Sequence, residues 1–260
     1  VSEVMLQQTQ AARVTTAFRP FLRRFPTVSA LAAAPRREVL RAWSGLGYNR
    51  RALNLSEAAR QIVRDHGGRV PSRPEDLRAL PGVGPYTAAA VASIAFGMPV
   101  PALDMNVARV VARVSLGTEA HEVPRTRVHD AAAEWIDLED PGSWNQALMD
   151  LGREVCKPIP RCEACPLSGS CTFRTLGREA RPSPRHQPRF SGSFRQVRGA
   201  LIRTLRDRPS ASVGALARDS GESVDRVAEA VRALARDGLV DASPAALAGR
   251  SRGRVRLVNS

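Results

Sequence analysis

Three features of the sequence predict a mostly α-helical chain of two or three small units with a four-cysteine centre and a small basic domain after it. Helix-period apolar patterning runs from Val4 to Gly117 with no strand-like alternation. Cys156, Cys162, Cys165 and Cys171 lie in one short stretch of a 260-residue chain that has no other cysteine. Between Arg174 and Ser193 prolines and arginines dominate, and a new periodic pattern begins beyond them. The expected division is a helical core over 1–117, a helical and cysteine-bearing subdomain over 118–173, a basic linker over 174–194 and a C-terminal domain over 195–260.

In the first segment, short breaks at Pro26, Pro35, Gly45-Leu46-Gly47, Gly67-Gly68 and Pro81-Gly82 separate successive helices. Val39, Leu40 and Trp43 share one helical face, as do Leu53, Ala58, Ile62 and Val63 more loosely, so both stretches are read as amphipathic helices around a shared core. A second helical unit runs from about His121 to Gly152 and leads into the cysteines. Past the linker, Val197, Leu201 and Leu205 step by four, and Val213 and Leu216 form a short second helix. Ser223 can cap a third helix whose buried stripe is Val224, Val227, Val231 and Leu234. Gly238-Leu239-Val240 and Arg254 to Val258 read as two strands around a mobile basic loop. Three helices and a two-stranded ribbon predict a winged-helix-like domain.

A net charge of +14 and a pI near 11.3 draw the chain to a polyanion, and steering toward nucleic acid is the economical explanation. Apolar residues make up 43% of the chain, enough for real cores. No apolar run approaches a membrane span and no leader precedes a cleavage site. A cytoplasmic, nucleoid-associated monomer is expected, with Val1 reading as the middle of a longer sequence. Lys157 is the single lysine. A GC-rich genome accounts for the arginine bias, but the bias has a chemical consequence below.

Leu80-Pro81-Gly82-Val83-Gly84-Pro85-Tyr86-Thr87 lies between a helix opened by Pro74 and Glu75 and an alanine-rich helix running from Pro85 toward Phe96. Proline just inside a helix and glycine just past one are the expected punctuation, and here they join two helices by a very tight turn. The backbone N–H groups of Gly82, Val83 and Gly84 are then free of covering side chains and suit a phosphate oxygen at a helix N-terminus. Such a turn grips a nucleic-acid backbone without reading sequence. Asp104 follows Pro99-Val100-Pro101 and opens a helix from Val107 to Val114, an N-cap-like position. Crowded cysteines in an otherwise cysteine-free basic chain suit metal better than disulfides, and four thiolates fit either zinc or an iron–sulfur cluster.

In this order, Ser2-Glu3-Val4-Met5-Leu6-Gln7-Gln8-Thr9-Gln10, Gly45-Leu46-Gly47-Tyr48, the glycine turn, Leu103-Asp104-Met105-Asn106-Val107 and Asn145 to Gly152 match a known set of motifs. No single one is specific, but their order is. Over about residues 1–173 the chain resembles the helix-hairpin-helix glycosylase superfamily, and within it the MutY-type adenine DNA glycosylases. The resemblance implies a core of two helical subdomains that excises adenine mispaired with 8-oxoguanine or guanine from double-stranded DNA, as part of base excision repair. It assigns adenine protonation to Glu3, and burial beside Val4, Met5 and Leu6 would favour the protonated carboxyl that this role needs. Asp104 becomes the fixed negative charge facing a cationic sugar, with Tyr86 orienting that sugar. Gln8 and Tyr48 match residues that enter the duplex, Leu6 one beside the flipped base and Gln146 one that recognises adenine.

Bifunctional relatives such as endonuclease III place an imine-forming lysine where this chain has Tyr86. With its one lysine among the cysteines, the chain has no evident nucleophile for strand breakage, and a monofunctional enzyme is expected. The resemblance also implies a [4Fe-4S] cluster on Cys156, Cys162, Cys165 and Cys171, presenting Arg153, Lys157 and Arg161 to DNA, with zinc as the alternative metal. Five residues separate Cys156 from Cys162, one fewer than is usual in the family. A further departure is the tail: relatives commonly end in a Nudix-like domain, whereas here the winged-helix-like domain offers Arg226, Arg232, Arg252 and Arg254 to DNA. The enzymatic rival is a thymine or uracil mismatch glycosylase, against which Gln7 to Gln10 and Asn145-Gln146 favour adenine. A rival of another class is a catalytically silent iron–sulfur DNA-binding regulator, which would need none of Glu3, Tyr86 and Asp104.

Overall fold

The computed structural model describes residues 1–181 and 190–258. Part of the expected linker, 182–189, lies outside the described residues. The chain divides into two compact units: one combines Val1–Arg69 with Gln187–Ser260, and the other is Val70–His186. This division falls elsewhere than after Gly117, because the tail folds back onto the first helices rather than standing apart from them.

The first unit opens with α1 (Ser2–Leu6), α2 (Ala11–Arg24), α3 (Val28–Ala33), α4 (Arg36–Ala42) and α5 (Arg50–His66). Thr27 caps α3 through its hydroxyl, and left-handed Gly67 ends α5. Val39, Leu40 and Trp43 are fully buried as their spacing predicts. Phe21 meets the edges of both Phe25 and Trp43, with ring centroids 5.0 and 5.9 Å apart. Val63 departs from the expected stripe. It is 39% exposed, while Ala52, Ser56, Ala59 and Ile62 take the inner face of α5.

The second unit contains α6 (Pro74–Arg78), α7 (Pro85–Phe96), α8 (Met105–Leu116), α9 (Arg125–Trp135), α10 (Pro141–Glu154), a short 3₁₀ turn (Cys162–Ala164) and α11 (Thr172–Thr175). Alanines dominate α7 because it is squeezed: Thr87, Ala88, Ala90, Ala92 and Ser93 are all buried, and α6 and α10 pack on it. Val107, Val110 and Val111 of α8 meet Val128 and Ala132 of α9 and Leu148 of α10 in a separate core that reaches Cys156.

Back in the first unit follow α12 (Phe194–Asp207), β1 (Ala211–Ser212), α13 (Val213–Ser220), α14 (Val224–Arg236), β2 (Val240–Ala242), α15 (Pro244–Leu247) and β3 (Arg254–Leu257). Ser223 caps α14 as expected. The predicted two-stranded ribbon is a three-stranded antiparallel sheet in the order β1-β3-β2, with Ala211 opposite Val255 and Val240 opposite Leu257. Two residues of β1 are too few to alternate visibly in sequence. Nor is the expected mobile loop shapeless, since it houses α15, capped by Ser243. The order of this segment is therefore helix, strand, two helices, strand, short helix and strand. Val197, Leu201, Ile202 and Leu205 of α12 belong to the same apolar cluster as Phe21, Leu40 and Trp43.

Candidate active site and cysteine centre

In the first unit, two tight turns carry the residues assigned to the duplex. One follows α1 and holds Gln8; the other, Gly45 to Asn49, holds Tyr48. These are the two non-glycine residues with positive φ among those described, at +55° and +46°. Such backbone is costly for a residue with a Cβ and persists only where its surroundings fix it. Arg51 does the fixing. Its guanidinium donates to the carbonyls of Val4 (2.8 Å), Met5 (2.9 Å) and Gln7 (2.5 Å) in the first turn and of Leu46 (3.2 Å) and Gly47 (3.1 Å) in the second, and to the Thr9 hydroxyl (2.9 Å). It also lies over the Trp43 and Tyr48 rings, 5.3 and 5.5 Å from their centroids. Burial lowers its affinity for a proton below that of an ordinary arginine, partly offset by Tyr48. Gln8 and Tyr48 themselves are exposed, as is Leu6, whereas Glu3 is half-buried. Of the three expected walls around Glu3, Val4 and Met5 are buried and Leu6 is 38% exposed.

In the second unit, α6 and α7 form the predicted helical hairpin. Gly82 has φ +78°, and the Val83 N–H bonds the Leu80 carbonyl at 3.1 Å, closing the turn. Gly84 then stands at the N-cap of α7 with Pro85 in its first turn. Gly82 and Gly84 are exposed and Val83 is half-buried, so the turn presents backbone rather than side chains. Tyr86, one residue into α7, is half-buried, with its hydroxyl 3.7 Å from the Met149 Sδ.

Asp104 caps α8 as its sequence position predicts. Its Oδ1 accepts from the Asn106 and Val107 N–H groups at 2.8 and 2.7 Å, and its Oδ2 from the Asn106 amide at 3.1 Å. The loop before it is tied down by Asn145, a fully buried side chain on α10. The Asn145 amide donates to Ser93 Oγ (2.7 Å), the Val100 carbonyl (3.1 Å) and the Pro141 carbonyl (2.9 Å), and accepts from the Ala102 N–H (2.7 Å). Its neighbour Gln146 is exposed.

The four cysteines line one small cavity of about 30 Å³, together with Val110, Val114, Leu151 and Phe173. None of the four is paired in a disulfide. Arg113 is 2% exposed and pairs with Glu119 at 2.7 Å, donates to the carbonyls of Lys157 (2.7 Å) and Pro158 (2.9 Å), and reaches Cys156 Sγ at 3.6 Å. Burial works against its charge, yet the bonds to Glu119 and Cys156 leave it held above its ordinary value. Burial pushes the Cys156 thiol up, opposed by Arg113 and Arg109. Arg109 donates to the carbonyls of Gly152 and Cys156, both at 2.7 Å, and so joins α8 to the start of the cysteine loop. Gly152 permits that approach: a Cβ there would sit 2.8 Å from the Asn106 Cβ. Among the described residues, no three of His, Cys, Asp or Glu converge on a single metal-ion position. Of the arginines and lysine expected to face DNA here, Arg153 pairs with Asp150 and Glu154, each at 2.9 Å, and Arg161 bonds the Glu154 carbonyl.

Arg51, Asn145 and Arg113 are the polar residues whose buried side chains organise these sites, and the sequence singles out none of them for that task. Asn145 at least stands in a matched motif. Arg51 is one of 38 arginines, the 39 basic residues less Lys157, and no spacing distinguishes it.

Residues 1–134 match the family model described as the HhH-GPD superfamily base excision DNA repair protein. The chain is 47% identical over 211 residues to a protein of Mycobacterium tuberculosis (strain CDC 1551 / Oshkosh) named adenine DNA glycosylase, covering 79% of this chain and 69% of that one. Among solved structures it resembles a thermostable thymine-DNA glycosylase, with a TM-score of 0.63, 30% identity, and coverage of 67% of this chain and 82% of the other. It also resembles endonuclease III in a non-covalent DNA complex, with a TM-score of 0.58, 26% identity, and coverage of 68% and 84%. With the hairpin, the capped aspartate and the cysteine centre in the expected order, the chain belongs to the HhH-GPD superfamily of base excision DNA repair proteins, and within it to the MutY-type branch of DNA glycosylases.

Proposed function

We propose that this enzyme is a monofunctional glycosylase that hydrolyses the N-glycosidic bond of adenine mispaired with 8-oxoguanine or guanine in duplex DNA. The observation that carries the reading is the pair of positive-φ residues, Gln8 and Tyr48, exposed on turns that one buried arginine locks together. Backbone strain held in place at exposed polar tips is the signature of residues kept ready for a ligand. Base extrusion costs roughly a few kcal/mol, and side chains filling the gap lower that cost. Leu6 and Gln146, both exposed, are assigned to the flipped adenine, and the Gly82-Val83-Gly84 turn to a backbone phosphate, with the Val83 N–H, which bonds the Leu80 carbonyl, closing the turn rather than donating to the ligand.

In the proposed reaction Glu3 donates a proton to the adenine ring, so the base departs neutral, and the sugar left behind carries positive charge. Asp104, its carboxylate pinned by two N–H groups of α8, opposes that charge without moving. Tyr86 orients the sugar, and water completes the hydrolysis. Having tyrosine at this place in the hairpin, and lysine at Lys157 alone, the chain has no amine to form an imine there, so strand cleavage is not expected.

One incubation panel tests substrate and reaction together. Duplexes with adenine opposite 8-oxoguanine, adenine opposite guanine, thymine opposite guanine and uracil opposite guanine are treated with the enzyme, then split with and without alkali. Breakage confined to the two adenine duplexes, and seen only after alkali, is expected. The likeness to a thymine-DNA glycosylase makes cleavage at thymine or uracil the competing outcome, and breakage without alkali would overturn the monofunctional assignment.

The cysteine centre is assigned to a [4Fe-4S] cluster held by Cys156, Cys162, Cys165 and Cys171. Four thiols lining one cavity are a donor set that fits either tetrahedral zinc or a [4Fe-4S] cluster, and the likeness to endonuclease III supports the cluster. Arg113 and Arg109 supply positive charge beside Cys156, as an anionic thiolate set requires. When bound, the cluster would brace the loop after α10 and supply redox-active iron. Purified protein is expected to carry about four irons per chain and a broad visible absorbance; stoichiometric zinc without iron would reverse the assignment.

A further inference from the structure

Tyr48 is held from two sides. Arg51 lies over its ring, and Arg195, in the first turn of α12, donates from Nη1 to its hydroxyl at 3.0 Å. The second contact crosses 147 positions of sequence and comes from the C-terminal domain. It belongs to a row of links between that domain and the segment bearing Tyr48. Arg206 donates to Ser44 Oγ, Arg41 to the Arg206 carbonyl at 3.3 Å, and Arg50 pairs with Asp237 at 3.3 Å, whose second oxygen is taken by Arg198. Beneath the row, α12 and α4 share one apolar cluster. Three of the four arginines expected to present this domain to DNA are instead engaged within it. Arg226 bonds Glu222 and the Gly192 carbonyl, Arg232 the Leu247 carbonyl and Arg254 the Ser210 hydroxyl.

We propose that Arg195 is a positioning residue for Tyr48, so that the C-terminal domain contributes to base extrusion by holding the hydroxyl of the inserted tyrosine. This deepens the reading of Tyr48 as the residue that enters the duplex, and rests on it. A tyrosine 41% exposed on a turn samples several side-chain rotamers unless something restrains it. Anchoring ring and hydroxyl before DNA arrives removes ordering that insertion would otherwise require. That is worth about two- to tenfold in an equilibrium for one immobilised side chain.

The test is a double-mutant cycle in the full chain. Arg195→Ala, Tyr48→Phe and the pair are compared by single-turnover excision and by fluorescence of 2-aminopurine placed at the target adenine, which reports extrusion. Each single variant is expected to lose about two- to tenfold in both readouts, and the double to lose no more than either single. Arg195→Lys, which retains a donor, is expected to recover part of the loss. The slope of log affinity against log salt is expected to stay unchanged in Arg195→Ala. A slope that falls by about one marks a phosphate contact and overturns the proposal, as do additive losses or an unaffected Arg195→Ala. Tyr48→Ala separates the two layers: if it extrudes 2-aminopurine normally, the insertion role itself is wrong. If it fails while Arg195→Ala behaves as the parent, only the coupling is.

Discussion

Glu3→Gln and Asp104→Asn are each expected to lower single-turnover adenine excision by about a thousandfold while leaving duplex affinity within about threefold. Each swap keeps size and removes one property. Glutamine in place of Glu3 cannot deliver a proton to the departing base, which must then leave as an anion. Asparagine in place of Asp104 removes the charge that faces the sugar, yet it is an equally good helix cap. Its carbonyl oxygen can still accept from the Asn106 and Val107 N–H groups, so α8 keeps its start. That separation matters because Asp104 has a structural duty in this chain whatever its catalytic one. Thermal unfolding near the parental temperature together with lost excision would assign the loss to chemistry. If both variants excise adenine at the parental rate, the mechanism proposed for these two carboxylates is wrong, and a binding protein without chemistry becomes the better account.

How much of this was legible in the sequence depended on how local the cause was. Pro74, Pro85, Gly84 and Asp104 mark helix ends through their own backbone and side-chain chemistry, and the structure puts α6, α7 and α8 where those residues predict. The cysteines declared themselves by proximity. The division into units did not, because periodicity tells which face of α12 is buried but not that Leu40 and Trp43 share its cluster. For the same reason Val63 was read as core: it lies at the margin of the α5 stripe, and only the packing of α3 and α4 decides which residues go inside. Gln8 and Tyr48 were matched by motif alone, and nothing in their identity predicted a left-handed backbone. That conformation is imposed from a distance by Arg51.

Arg51→Met is accordingly expected to destabilise the first unit by about 1–3 kcal/mol, the cost of leaving buried acceptors without a donor. The substitution keeps an unbranched apolar stem of similar length and deletes the guanidinium, which is 9% exposed as part of its residue. Five backbone carbonyls and the Thr9 hydroxyl then lose their shared donor. The Val4 and Met5 carbonyls lie in the last turn of α1, whose five residues leave its terminal acceptors without intrahelical partners, so Arg51 serves as that helix's C-terminal cap. Gln8 and Tyr48 would also be freer to leave positive φ, which returns some backbone strain and offsets part of the loss. Stability and function should therefore part company. Urea unfolding is expected to show a clear drop in midpoint, and extrusion of 2-aminopurine a larger defect than stability alone explains, because the relaxed turns no longer present their side chains to the duplex. Arg51→Lys, with three donors for six acceptors, is expected to fall between. An Arg51→Met protein that unfolds at the parental urea concentration would mean the two turns are held by something other than this guanidinium, and the link from buried cation to strained turn would be broken.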